Sequence, residues 1–173
     1  MNQRNNSRTS LFLMELIVAV FFFSLSAAVC VKLFVASHEM ADKTVNLNHA
    51  VTWSQSLAES FVSAKGDINE IGRYYPSAFL SEENLIIFFD DNWEYMDGNS
   101  AKASFEAILS TKEIPANEAY SDVTKYNVNL KGNAICGTIK IIDVRKLSEP
   151  LFEASDDDPN VIHSISVDTY IGG

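Results

Sequence analysis

The chain has 173 residues, 47% of them hydrophobic, and 13 Lys and Arg against 23 Asp and Glu leave a net charge of -10. So acidic a surface repels phosphate backbones and argues against nucleic acid as a partner for the chain alone. Once a leader and a membrane span are set aside, about 140 residues remain, enough for one modest domain.

Residues 1–10 form a polar leader that carries Arg4 and Arg8, with no acidic residue before Glu15. Residues 11–31 are an unbroken apolar run whose only charge is Glu15. At about 1.5 Å per residue this run makes roughly 31 Å of helix, and a bilayer core is about 30 Å thick. The run is therefore expected to be a transmembrane helix. The basic leader places the N-terminus in the cytoplasm and exports the remainder of the chain, making a single-pass inner-membrane protein. A carboxylate in such a span costs on the order of 2.5 to 3.5 kcal/mol near the bilayer centre, so Glu15 calls for a role.

No Gly or Pro occurs before Gly66, so nothing breaks the helix on leaving the membrane. Within residues 32–66, Leu47, Ala50, Val51, Ser54, Leu57, Ala58 and Phe61 recur at steps of three and four, with Trp53 flanking them. This is one apolar stripe, and Leu47, Val51, Leu57 and Phe61 are expected to form a helix–sheet core. Gly66 and Asp67 supply the stop.

From residue 67 to 173 the period changes to two. Residues 85–89 read as a strand, Asp90-Asp91-Asn92 as a turn and residues 93–96 as its hairpin partner. After a turn at Asp97-Gly98-Asn99, Ala103, Phe105, Ala107 and Leu109 alternate in a second strand, and Tyr126, Val128 and Leu130 in a third. Lys131-Gly132-Asn133 turns the chain into a strand over 134–144. Residues 156–160 are a loop, and Ile165, Val167, Thr169 and Ile171 make the last strand. The expected fold class is α+β: a long N-terminal transmembrane helix extending into an amphipathic helix, packed on one apolar face of a C-terminal antiparallel β-sheet.

No catalytic constellation is evident, so enzymatic activity is not expected. His38, His49 and His163 share no metal-ligand spacing, and no Gly-rich phosphate loop is present. The acidic runs at Asp90-Asp91-Asn92 and Asp156-Asp157-Asp158 fit solvated turns, with calcium as the less favoured reading because neither follows the EF-hand pattern. No metal or other cofactor is expected. Cys30 falls in the span and Cys136 in a predicted strand, so both are expected to be free.

The register Ser10-Leu11-Phe12-Leu13-Met14-Glu15, behind a basic leader and ahead of a span, resembles the processing site of the type IV prepilin and pseudopilin family. The resemblance covers about the first 60 residues; Ser10 stands where the family has mostly Gly, and Leu11 where it has mostly Phe. It implies that prepilin peptidase cuts between Ser10 and Leu11, that Leu11 is a site of N-methylation, and that Glu15, fifth from the cut, docks on the N-terminal amine of a neighbouring subunit. It also implies a lollipop shape, other pilin or pseudopilin subunits as partners, and a polytopic platform protein and cytoplasmic ATPase for assembly. The family's disulfide-stapled C-terminal loop cannot form with one cysteine outside the span, which tilts the reading toward a minor pilin or pseudopilin of a type IV pilus, type II secretion or DNA-uptake system.

Other readings of the same stretch remain. A signal-anchor helix needs no Glu15 and would leave a single-pass, membrane-anchored binding domain that does not polymerise. A secretory signal cut after Ser26-Ala27-Ala28 conflicts with the apolar run continuing to Phe34 and Val35. A lipoprotein modified at Cys30 conflicts with the bulk of Val29 before it.

Overall fold

The computed structural model describes residues 3–97, 100–124, 130–147, 151, 153–155 and 157–172. The chain divides into two compact units, Met1–Val45 and Asn46–Gly173.

The first unit is helical throughout its described length and belongs to α1, Gln3–Ser63. Residues 9–45 are all exposed, and this helix is long and apolar enough to cross a membrane. Two of its hydroxyl groups are satisfied locally: Ser24 Oγ donates to the Val20 carbonyl at 2.8 Å and Thr44 Oγ1 to Met40 at 2.9 Å.

In the second unit α1 ends in a Schellman motif. The Gly66 N–H donates to the Phe61 carbonyl at 2.9 Å and the Lys65 N–H to Val62 at 3.1 Å. Lys65 and Gly66 both take left-handed backbone, at φ 52° and 79°. The expected stop is therefore present, but Asp67 does more than end a helix. Its carboxylate accepts the N–H groups of Asn69 and Glu70 and caps α2, Ile68–Tyr74.

The strands are β1 (Phe79–Leu80), β2 (Asn84–Phe89), β3 (Phe105–Pro115), β4 (Asn133–Asp143) and β5 (Val161–Gly172), in the order β1-β2-β3-β4-β5, all antiparallel. A 3-10 turn, Ser100–Lys102, precedes β3, and two one-turn helices, α3 (Ala116–Ala119) and α4 (Ser121–Thr124), come after it.

Several strand expectations need correction. Residues 93–96 do fold back along the end of β2, but as a short return rather than a strand: Tyr95 bridges Phe89, the Asp90 N–H donates to the Glu94 carbonyl at 3.1 Å and the Met96 N–H to Phe88 at 2.9 Å, while the ladder partners of β2 are β1 and β3. The reason is the turn. Asp90 Oδ1 accepts the N–H groups of Asn92 (2.8 Å) and Glu94 (2.9 Å), which keeps both N–H groups within the turn and the return short, and Trp93 adopts φ 63°. The second strand starts at Phe105 rather than Ala103 and runs on to Pro115. Of the third expected strand, residues 126–129 lie outside the described residues and Leu130 is not in a strand.

The sheet also buries apolar side chains on both faces, not on one. Leu85, Ile87, Phe89, Phe105, Ala107, Leu109, Ile139 and Ile141 cluster with Ala50, Leu57 and Phe61 of α1. Alternate residues on the opposite face, Ile86, Phe88, Ile108 and Ile142, join Val144 in a second cluster.

Candidate functional site

The residues expected to act at the membrane all lie on α1. Ser10, Leu11 and Glu15 are exposed, and the Ser10–Leu11 bond lies within helix. The positions three and four residues from Glu15 on its helix are Leu11, Phe12, Val18 and Ala19, none of which can carry a compensating side-chain charge. A carboxylate so placed is uncompensated by its own helix. In hydrocarbon it would favour any cation that approached it from another chain.

No protein-family model, curated protein or solved structure matches this chain. The functional reading rests on its own residues.

The helix–sheet core of the second unit agrees in part with the apolar stripe. Ala50, Leu57 and Phe61 are fully buried, as is Ser54. Val51 is half-buried, and Leu47 is exposed, so Leu47 does not belong to the core. At about 100° per residue, Leu57 and Phe61 lie within about 20° of Ala50, whereas Leu47 is about 60° and Val51 about 100° to one side. The buried face is rotated the other way, toward Trp53 and Asn46. Trp53 packs on Phe89 with ring centroids 4.6 Å apart, and the half-buried Asn46 accepts the indole N–H of Trp93 through Oδ1 at 3.2 Å.

Trp93 is the anchor of that side. Its ring stacks on Phe105 at 4.1 Å and on His49 at 5.4 Å, and the Arg145 guanidinium lies 4.7 Å from the Phe105 centroid. Arg145 in turn pairs with Asp143 at 2.6 Å, which holds that carboxyl below its usual range. Phe61 reaches the sheet at Gly137, where the missing side chain leaves room for its ring.

The second cluster contains a residue that the sequence pattern does not mark out. Glu106 is opposite Phe88 on β2 and Ile142 on β4, and it is fully buried. Its Oε1 accepts the Leu151 N–H at 3.0 Å, and its Oε2 has no hydrogen-bond partner. Burial pushes its pKa up to about 7, with the Leu151 hydrogen bond opposing. A charged residue at an outward position of an amphipathic strand reads as solvated, so only the burial of this second face reveals it.

Beside the cluster lies an open groove of about 500 Å³ lined by Ser110, Lys112, Cys136, Thr138, Lys140 and Glu153 among others. Cys136 is a free thiol held in its protonated form by burial and by Asp168 nearby. Asp168 also accepts a hydrogen bond from Tyr120 and pushes its hydroxyl up to about 12. Among the described residues no group of three or more His, Cys, Asp or Glu side chains gathers in a way that could hold a metal ion. Asp90, in the first acidic run, spends Oδ1 on capping its own turn, and Asp156 of the second run lies outside the described residues.

Proposed function

We propose that this chain is a structural subunit, a minor pilin or pseudopilin, of a filament of the type IV pilus, type II secretion or DNA-uptake kind. On this reading prepilin peptidase removes residues 1–10, leaving Leu11, methylated or free, as the first residue. The basic leader faces the cytoplasm and the unit Asn46–Gly173 is exported.

The observation that carries the reading is Glu15, the one charge in the exposed apolar run 11–31, placed fifth after a small residue behind a basic leader. An anchor has no use for it. A filament subunit does, because docking on a neighbour's N-terminal amine compensates a group that otherwise sits unpaired in hydrocarbon. Support also comes from a helix with no Gly or Pro ahead of Gly66 and from an antiparallel sheet that takes its packing partner from the same helix.

The test is Glu15→Val in a host carrying the assembly machinery, with membrane and sheared-fibre fractions compared by immunoblot. Membrane insertion should be retained or improved and fibre incorporation should fall at least tenfold, while N-terminal sequencing still finds Leu11 first. Equal incorporation of the variant and the wild type would refute docking and favour a non-polymerising membrane anchor.

A further inference from the structure

The two edges of the sheet are treated differently. β1 contributes two residues, and its Leu80 lies against Gly72 of α2. β5 has twelve residues, and among the described residues only β4 pairs with it. Along its far side the N–H and C=O groups of alternate residues therefore have no ladder partner. Long edges are ordinarily blunted by Lys, Pro, a bulge or a covering segment. Val161–Gly172 contains no Lys, Arg or Pro, and its one charge is Asp168. The register shifts fall at the two ends of the β4–β5 ladder and leave His163–Tyr170 regular.

The side chains of this stretch are sorted by face. Ile165 and Val167 lie on the inner side, opposite Ile139 and Gly137, and pack on the helix–sheet core. Ser164, Ser166 and Asp168 lie on the outer side, opposite Lys140, Thr138 and Cys136, and are exposed.

We propose that β5 is a self-pairing edge: the β5 strand of a second copy docks on it antiparallel and joins the two five-stranded sheets into one. The edge's own sequence selects a second copy as occupant. With Ser166 centred opposite the partner's Ser166, Ile165 falls opposite the partner's Val167 and prolongs the apolar face. Asp168 falls opposite the partner's Ser164, whose hydroxyl is a donor for it. Centring the pair on Asp168 instead sets two carboxylates against each other, and a one-residue slip sets polar side chains against apolar ones. The end of each β5 meets the start of the other. Lys131, whose carbonyl accepts the Tyr170 hydroxyl, stands at the first, and Asp157 precedes the second, so opposite charges meet at both ends.

Such a pair has a two-fold axis normal to the sheet. Residues 46–63 of α1 lie on the sheet, so the axis turns the second copy's helix to run the opposite way. Copies anchored in one membrane with one topology have parallel helices. The pair therefore joins copies presented by facing surfaces. The pairing rests on the fold of the second unit alone; only its place of action rests on the membrane reading.

Disulfide trapping of the full-length, detergent-solubilised protein tests it, in a Cys30→Ser, Cys136→Ser background that leaves the introduced thiol as the only one. In Ser166→Cys the two α-carbons across the axis stand about 4.5–5.5 Å apart, within disulfide reach. In Ser164→Cys or Asp168→Cys alone each position is four residues from its mate, about 13 Å, which is out of reach. Oxidation should yield covalent dimer at least tenfold more from Ser166→Cys than from either of the others. A mixture of Ser164→Cys and Asp168→Cys should cross-link as well as Ser166→Cys does. Adding Ser166→Lys to both members of that mixture sets two ammonium groups face to face at an exposed site and should lower the yield tenfold or more. Equal yields at all positions, no dimer from Ser166→Cys, or a mixture indifferent to Ser166→Lys would overturn the proposal. Glu15→Val should leave every yield unchanged, so this pairing and the filament reading can fail separately.

Discussion

Replacing Gly137 with Ala probes how α1 is seated on the sheet. A β-carbon there would stand 2.9 Å from Phe61 Cε2, 3.0 Å from Val167 Cγ2 and 3.3 Å from Leu109 Cδ1. Carbon atoms pack best at roughly 3.5–4.0 Å, so at least two of these contacts must give. Phe61 and Leu109 are fully buried and have nowhere to swing. Overpacking of this kind costs about 1–3 kcal/mol, and the gain of Ala over Gly in a strand offsets roughly 0.5–1 kcal/mol. The expected net loss for Gly137→Ala is about 1–2 kcal/mol. Phe61→Leu should also destabilise on its own, yet in the Gly137→Ala background it should relieve the clash, with a favourable coupling of about 0.5 kcal/mol or more. Both tryptophans of the chain, Trp53 and Trp93, pack in this core, so tryptophan fluorescence during urea unfolding of the detergent-solubilised protein reports on it alone. An unchanged or raised midpoint for Gly137→Ala, or strictly additive effects in the double variant, would refute this account of the seating.

Lys65→Gly should stabilise the second unit by about 0.5–1 kcal/mol, because Lys65 holds the left-handed position of the helix cap that glycine occupies without a β-carbon penalty; a lowered thermal midpoint would contradict the cap assignment. Leu57→Ala should cost about 2–5 kcal/mol and Leu47→Ala no more than about 0.5 kcal/mol, since only the first is buried; similar losses in urea titrations would show that the helix face is wrongly placed.

The helix and most of the strands are legible in the sequence because their signals are local. An apolar run free of Gly and Pro specifies α1, and the alternation at Phe105, Ala107 and Leu109 gives both a strand and the face that packs on the helix. The features that escape a sequence reading depend on partners distant in the chain. Leu47 fits the stripe as well as Leu57 does, but the sheet meets the helix from the side on which Trp93 draws in Asn46. The segment after β2 folds back on it as the turn residues indicate, but only as far as one bridge, because the same bend turns Trp93 into the core. The α2 cap, by contrast, is readable: Asp67 with Glu70 three residues later is a helix-start pattern. Glu106 has no sequence signal, since its hydrogen-bond partner, the Leu151 N–H, lies 45 residues on and its neighbours come from other strands.

Because the sheet order repeats the sequence order, each strand finds the one made just before it already waiting. Long chain closures, the slow steps in assembling β-structure, are largely avoided. What remains non-local is the docking of α1 on the sheet, with Phe61 against Gly137 of β4. A nascent chain could thus build β1 to β3 as an apolar platform well before β4 and β5 exist, and that platform needs α1 as its cover from the start. Shortening the part of α1 that lies in the second unit should therefore harm the folding of the sheet more than its final stability suggests.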